Sequence, residues 1–146
     1  MAAWQKFMNQ GNQLFTHQKW NDALGYYHKA ITLLETEITA NNDDTNTIQQ
    51  AVQGWICGHH NIASTYEQQG LISLSRDALL APFHYMLALA ANPNVSLALK
   101  VAANSALKIT LPPLLLFANN HPSEFTLINK IVEQLNHNDR LGHSIH

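Results

Sequence analysis

The chain has 146 residues, enough for one domain with a sizeable core, and 46% of them are hydrophobic while only 12% are charged. A formal net charge of -2 with no basic cluster sets nucleic-acid binding aside. A single cysteine, Cys57, excludes an internal disulfide framework and fits a reducing compartment.

The N-terminal MAAWQKFMNQ contains no apolar run of the kind that forms a signal-peptide core. No stretch approaches the roughly 20 consecutive apolar residues of a bilayer span. The expectation is a cytoplasmic chain with no membrane partner, folded as a single domain over residues 1–146.

From Phe7 to Leu34 the sequence reads as two short amphipathic helices packed back to back. Phe7, Leu14 and Phe15 recur at helical spacing, with Gly11 on the same side. A glycine inside a helix costs roughly 1 kcal/mol against alanine, so close approach of a second helix is the expected gain. Ala23, Tyr27, Ala30, Ile31 and Leu34 form the facing stripe, small beside large, and Trp20 closes the end of the pair. The second helix is expected to run on through Ile38 and end near Thr39.

A polar loop over 40–46 supplies Asp and Thr N-cap candidates for a long helix from Ile48 to Gln69. Val52, Trp55, Ile56, His59, Ile62, Ala63 and Tyr66 are its stripe, and Gly70 is its left-handed cap. The next helix, Ser73 to Ala91, carries Ala78, Leu79, Phe83, Met86, Leu87 and Ala90, with Pro82 expected to bend or split it. Val95 to Ile109 is an apolar helix, and Leu111 to Ala118 reads as a short buried helix with Pro112 and Pro113 in its first turn. A turn at Asn119–Pro122 precedes a helix from Ser123 to Asn136, where Glu124 suits the positive helix end. Its apolar face is Phe125, Ile128, Ile131, Val132 and Leu135. Residues 137–146 read as a tail that frays from about Asp139. No segment alternates with a strand's period, so the class is all-α, with about seven antiparallel helices.

Gly11-Asn12, Leu14, Trp20, Ala23, Tyr27 and Ala30 follow the small–aromatic–small pattern of a tetratricopeptide repeat, which the first helical pair resembles. Phe7 stands where the family often has Trp, and Glu35 replaces its closing Pro. Asn61 to Gly70 again resembles the first helix of a repeat, and Pro93 follows the second unit. The resemblance implies a helix-turn-helix solenoid with irregular units over about 4–39 and 46–92. C-terminal helices over 94–136 then close it as a cap, which repeat proteins require, or else form a homodimer face.

The same resemblance implies a concave groove, formed by the first helix of each pair, that binds a peptide or partner helix. It would be lined by Gln5, Met8, Asn9, Asn12 and Phe15, then by His60, Asn61, Ser64, Glu67 and Gln68. Asparagine amides suit a peptide backbone because each offers a donor and an acceptor. Asn12 and Asn61 fall where one subgroup, the co-chaperones of heat-shock chaperones, clamps a C-terminal carboxylate. Lys100 would add charge there, whereas Met8 stands where that subgroup has Lys.

The function expected is a protein-interaction adaptor or chaperone-like module, with a small-ligand sensor as the alternative. No GxSxG, HExxH, phosphate-loop or dinucleotide signature points to an enzyme. Cys57 beside His60 reads as packing rather than as a nucleophile and its base. Cys57, His59 and His60 diverge around a helix, so neither a metal site nor any cofactor is expected. His143 and His146 have i, i+3 spacing but lie in the tail.

Overall fold

The computed structural model describes residues 1–40 and 44–145, with side chains through Gln134. Among the described residues there are six helices and no strand: α1 (Ala3–Thr16), α2 (Trp20–Thr39), α3 (Thr45–Gln68), α4 (Ile72–Ala91), α5 (Leu97–Asn120) and α6 (Pro122–Ile145). The all-α expectation holds at this level, and the second helix does end at Thr39. Asn41, Asn42 and Asp43 of the expected polar loop lie outside the described residues, as does His146.

Two expectations need correction. Pro112 and Pro113 do not begin a short helix of their own; they sit inside α5, and Pro82 sits inside α4. A proline in a helix interior costs about 3 kcal/mol or more, because it lacks an N–H and crowds the preceding turn. Burial outweighs this. Pro82 is flanked by buried Leu79, Leu80, Phe83, Met86 and Leu89, and the α5 prolines lie between buried Thr110 and Leu114. Each fully buried large apolar side chain stabilises by about 1.5–3 kcal/mol. One fewer helix end is the result. The second correction concerns the C-terminus, where the α6 backbone continues as helix to Ile145 instead of fraying near Asp139.

The helix ends follow local chemistry. Asp44 is the N-cap of α3, its carboxylate accepting from the Asn46 N–H at 3.2 Å. Gly70 takes φ +77°, its N–H donating to the Glu67 carbonyl while Leu71 N–H reaches back to Tyr66. Gln18 makes the same turn after α1 at φ 60°, with Lys19 N–H donating to the Leu14 carbonyl. That conformation normally favours glycine.

Consecutive helices pack on one another, and α3 also packs on α5. The close approaches depend on missing side chains. A Cβ at Gly11 would lie 2.6 Å from Tyr27 Cε1, and one at Gly58 would lie 2.8 Å from Ile31 Cγ1. Tyr27, Leu34, Val52, Ile56 and Met86 are fully buried in the larger core. A second core joins Ala63, Leu79, Phe83, Leu114, Phe117 and Ile128, and it seats the start of α6. By length and composition alone, α5 would suffice to cross a bilayer, with a mean hydropathy of 1.4 over its best window. It packs here against α3, α4 and α6.

Candidate functional site

The polar stripe of α3 carries Cys57, His60, Asn61, Ser64, Glu67 and Gln68 at helical i, i+3, i+4 spacing. Two clusters of expected site residues form along it, one against α1 and one against α5.

On the α1 side the Asn61 amide Nδ2 lies 3.4 Å from Asn12 Oδ1 and 3.4 Å from Met8 Sδ. The Tyr27 hydroxyl donates to the same Asn12 oxygen at 2.8 Å. Burial, and then the neighbouring Cys57, push the Tyr27 pKa up to about 12, so this donor keeps its proton. Both lone pairs of Asn12 Oδ1 are thus engaged within the fold. Among the described residues, the Asn12 NH2 group and the Asn61 side-chain oxygen make no hydrogen bond. The pair therefore offers one donor and one acceptor side by side, the complement of a peptide unit.

On the α5 side lies a cleft of about 250 Å³. His60, Ala63, Ser64 and Glu67 of α3 form one wall, Ser75 and Leu79 of α4 the floor, and Pro113, Leu116, Phe117 and Asn120 of α5 the other wall. Ser75 Oγ donates to the Ala63 carbonyl at 2.8 Å and fixes α4 under α3. At the end of the cleft, Glu67 Oε2 meets His121 Nε2 at 2.7 Å, and the His121 ring rests on Phe117 at 4.5 Å. Arg76 pairs with Glu124 at 3.0 Å, tying α4 to the first turn of α6. Hydrogen bonds to Glu124 and Asp77 raise the Arg76 pKa further.

His60 Nε2 is buried and has no hydrogen-bond partner among the described residues. Burial lowers its pKa, so the ring is held neutral. Burial also raises the pKa of Cys57, against the opposing effect of its contact with Asn61, so its thiol keeps the proton. A raised thiol pKa works against nucleophilic chemistry. Among the described residues, no group of three or more His, Cys, Asp or Glu side chains converges as a metal site would require.

The other expected site residues lie elsewhere. Met8 is buried and belongs to the core, with its sulfur beside the Asn61 amide. Phe15 is half-buried and packs edge-on against Trp20 at 5.1 Å, at the α1–α2 turn. Asn9 is exposed on α1. Lys100 sits in the first turn of α5, roughly 20 Å of helix from Pro113. It does not join Asn12 and Asn61, so the carboxylate clamp lacks its cation.

Sequence reasoning missed the α5 wall: Pro113, Phe117, Asn120 and His121. The signal was available, because 113, 117 and 120–121 are spaced one helical turn apart. Reading Pro112-Pro113 as a helix start hid that continuity.

This chain belongs to the DUF2753 family. The family's model, described as a protein of unknown function, matches residues 2–142. No curated protein and no solved structure matches the chain. In this DUF2753 member the match takes in both clusters on α3 and the whole of α5.

Proposed function

We propose that this chain is a protein-interaction module, a tetratricopeptide-like adaptor or dedicated chaperone that receives a peptide or partner helix along α3. The observation that carries the reading is the Asn12–Asn61 pair beside the apolar cleft. A backbone amide pairs with the asparagines, and an adjoining apolar side chain enters between Leu79, Leu116 and Phe117. The α3 polar stripe joins the two subsites, so a single extended segment reaches both. Support also comes from α3 packing on both α4 and α5, as the first helix of a stacked pair would. In this reading α6 serves as the cap, and the chain performs no chemistry of its own.

Selection from a random-peptide display library tests the proposal. Ser64 is exposed on the α3 wall of the cleft, one turn from Asn61, so Ser64→Arg blocks the groove without disturbing the core. Peptides that bind the native chain and lose binding to Ser64→Arg, with an unchanged unfolding transition, are the expected result. Peptides bound equally by both chains would refute the groove.

One observation favours a second reading, the small-ligand sensor: the unpaired His60 Nε2 lines the cleft. A small ligand that raises the unfolding temperature of the native chain but not of His60→Phe would move this reading ahead.

A further inference from the structure

Along one side of α5, Leu111 is half-buried against the second core, while Leu97 and Val101 border Thr45 at the start of α3 and stay exposed. Leu97 is 77% exposed, and Val101 and Leu115 are 45% and 42% exposed. With Asn104, Lys108 and Leu111 they recur at alternating spacings of four and three, the pattern of a coiled-coil seam. None of the six lines the cleft between His60 and Phe117. Isolated exposed leucines are ordinary on a protein surface, but a continuous seam along a helix marks an interface.

The seam is symmetric about its centre. Run antiparallel against itself, with the two-fold axis level with Ala106, Leu97 faces Leu115 and Val101 faces Leu111 of the second copy. Asn104 then faces Lys108. The polar pair is complementary as well. Asn104 Nδ2 already donates to the Lys100 carbonyl at 3.0 Å, which turns its side-chain oxygen into the free half of the amide. That oxygen accepts from the Lys108 ammonium of the second copy. A parallel pairing would instead set Lys108 against Lys108, and like charges facing each other destabilise a seam. A helix without any acidic residue over its 24 positions offers Lys108 no carboxylate partner of its own.

We propose that α5 is a self-association face, pairing two copies of this chain antiparallel through Leu97, Val101, Asn104, Lys108, Leu111 and Leu115. This is an isologous interface, the kind on which closed dimers are built. One helix of about 36 Å is a small contact for a permanent dimer, so the association is reversible and depends on concentration. The lysine–asparagine pairs at its centre fix the register, as polar seam positions do in coiled coils.

The test combines sedimentation with cross-linking. The native chain shifts from monomer to dimer as its concentration is raised, and Leu97→Glu with Leu115→Glu stays monomeric with the same helical circular dichroism. In a Cys57→Ser background, Leu97→Cys mixed with Leu115→Cys gives a disulfide-linked dimer under mild oxidation, whereas Leu97→Cys alone does not. A native chain that is monomeric throughout overturns the proposal, as does a dimer that survives both Glu substitutions. Self-cross-linking of Leu97→Cys would mean a parallel pair and equally refute it. A monomer that floats with phospholipid vesicles would assign the face to a membrane and overturn the dimer.

Discussion

His59 makes the stability of this fold depend on pH in a defined direction. Its ring lies edge-on to Trp55 at 4.3 Å, and its Nε2 is buried without a partner among the described residues. Burial, and then the nearby His28 and His60, lower its pKa from 6.5 to about 4. The folded chain therefore keeps this ring neutral at pH values where the unfolded chain protonates it. The stability from the neutral ring is complete above the unfolded value and is lost as the pH falls from about 6.5 towards 4. Each unit of difference is worth about 1.4 kcal/mol, so moving from pH 7 to pH 5 costs about 2 kcal/mol through this residue alone. Against a total stability of about 5–15 kcal/mol that is a large fraction. His59→Phe keeps a flat ring on Trp55 and removes the titration. Urea unfolding followed by circular dichroism at pH 7 and pH 5, on both chains, isolates the contribution. The variant should lose about 2 kcal/mol less than the native chain on acidification. If both lose the same amount, His59 does not titrate as its surroundings require.

Three further substitutions test the packing and the turns. Gly11→Ala should destabilise by about 2 kcal/mol, because the new methyl displaces Tyr27 from its bond to Asn12. Gly25→Ala, which meets nothing within 4 Å, should stabilise by about 1 kcal/mol in the same urea titration. Gln18→Gly should raise stability by about 1 kcal/mol, since Gln18 holds a backbone conformation that glycine adopts freely. A destabilised Gln18→Gly would show that the Gln18 side chain contributes more than its strain costs.

Much of the fold was legible in the sequence wherever one short-range rule acted alone. The stripe of Ala23, Tyr27, Ala30, Ile31 and Leu34 is buried as its spacing requires, and Gly70 and Asp44 cap the helices they flank. The prolines were misread because a local cost of a few kcal/mol competes with burial along the whole helix. Ala102, Ala106, Thr110, Leu114 and Phe117 continue one stripe straight through Pro112-Pro113, and that stripe was the better guide. At the site, the sequence nominated Asn12, Asn61, His60, Ser64 and Glu67. The repeat resemblance grouped Asn12 with Asn61, but no short-range rule fixes their contact, which spans 49 positions. Met8 was misplaced because the side of α1 that brings its sulfur to Asn61 also packs into the core. His121 was missed because its partner, Glu67, is set by how α5 leans on α3.

The order of helix packing also bears on how the chain finds its structure. Nearly every helix rests on the one made just before it, and the α3–α5 contact is the main exception. The segments that must close during folding are therefore hairpin-sized, and the entropy of closing a loop grows only slowly with its length. This is a topology of low contact order. On a ribosome, α1 can complete its packing with α2 and the glycine face of α3 while α5 is still unmade. The Asn12–Asn61 junction then exists before the cleft beside it has its second wall.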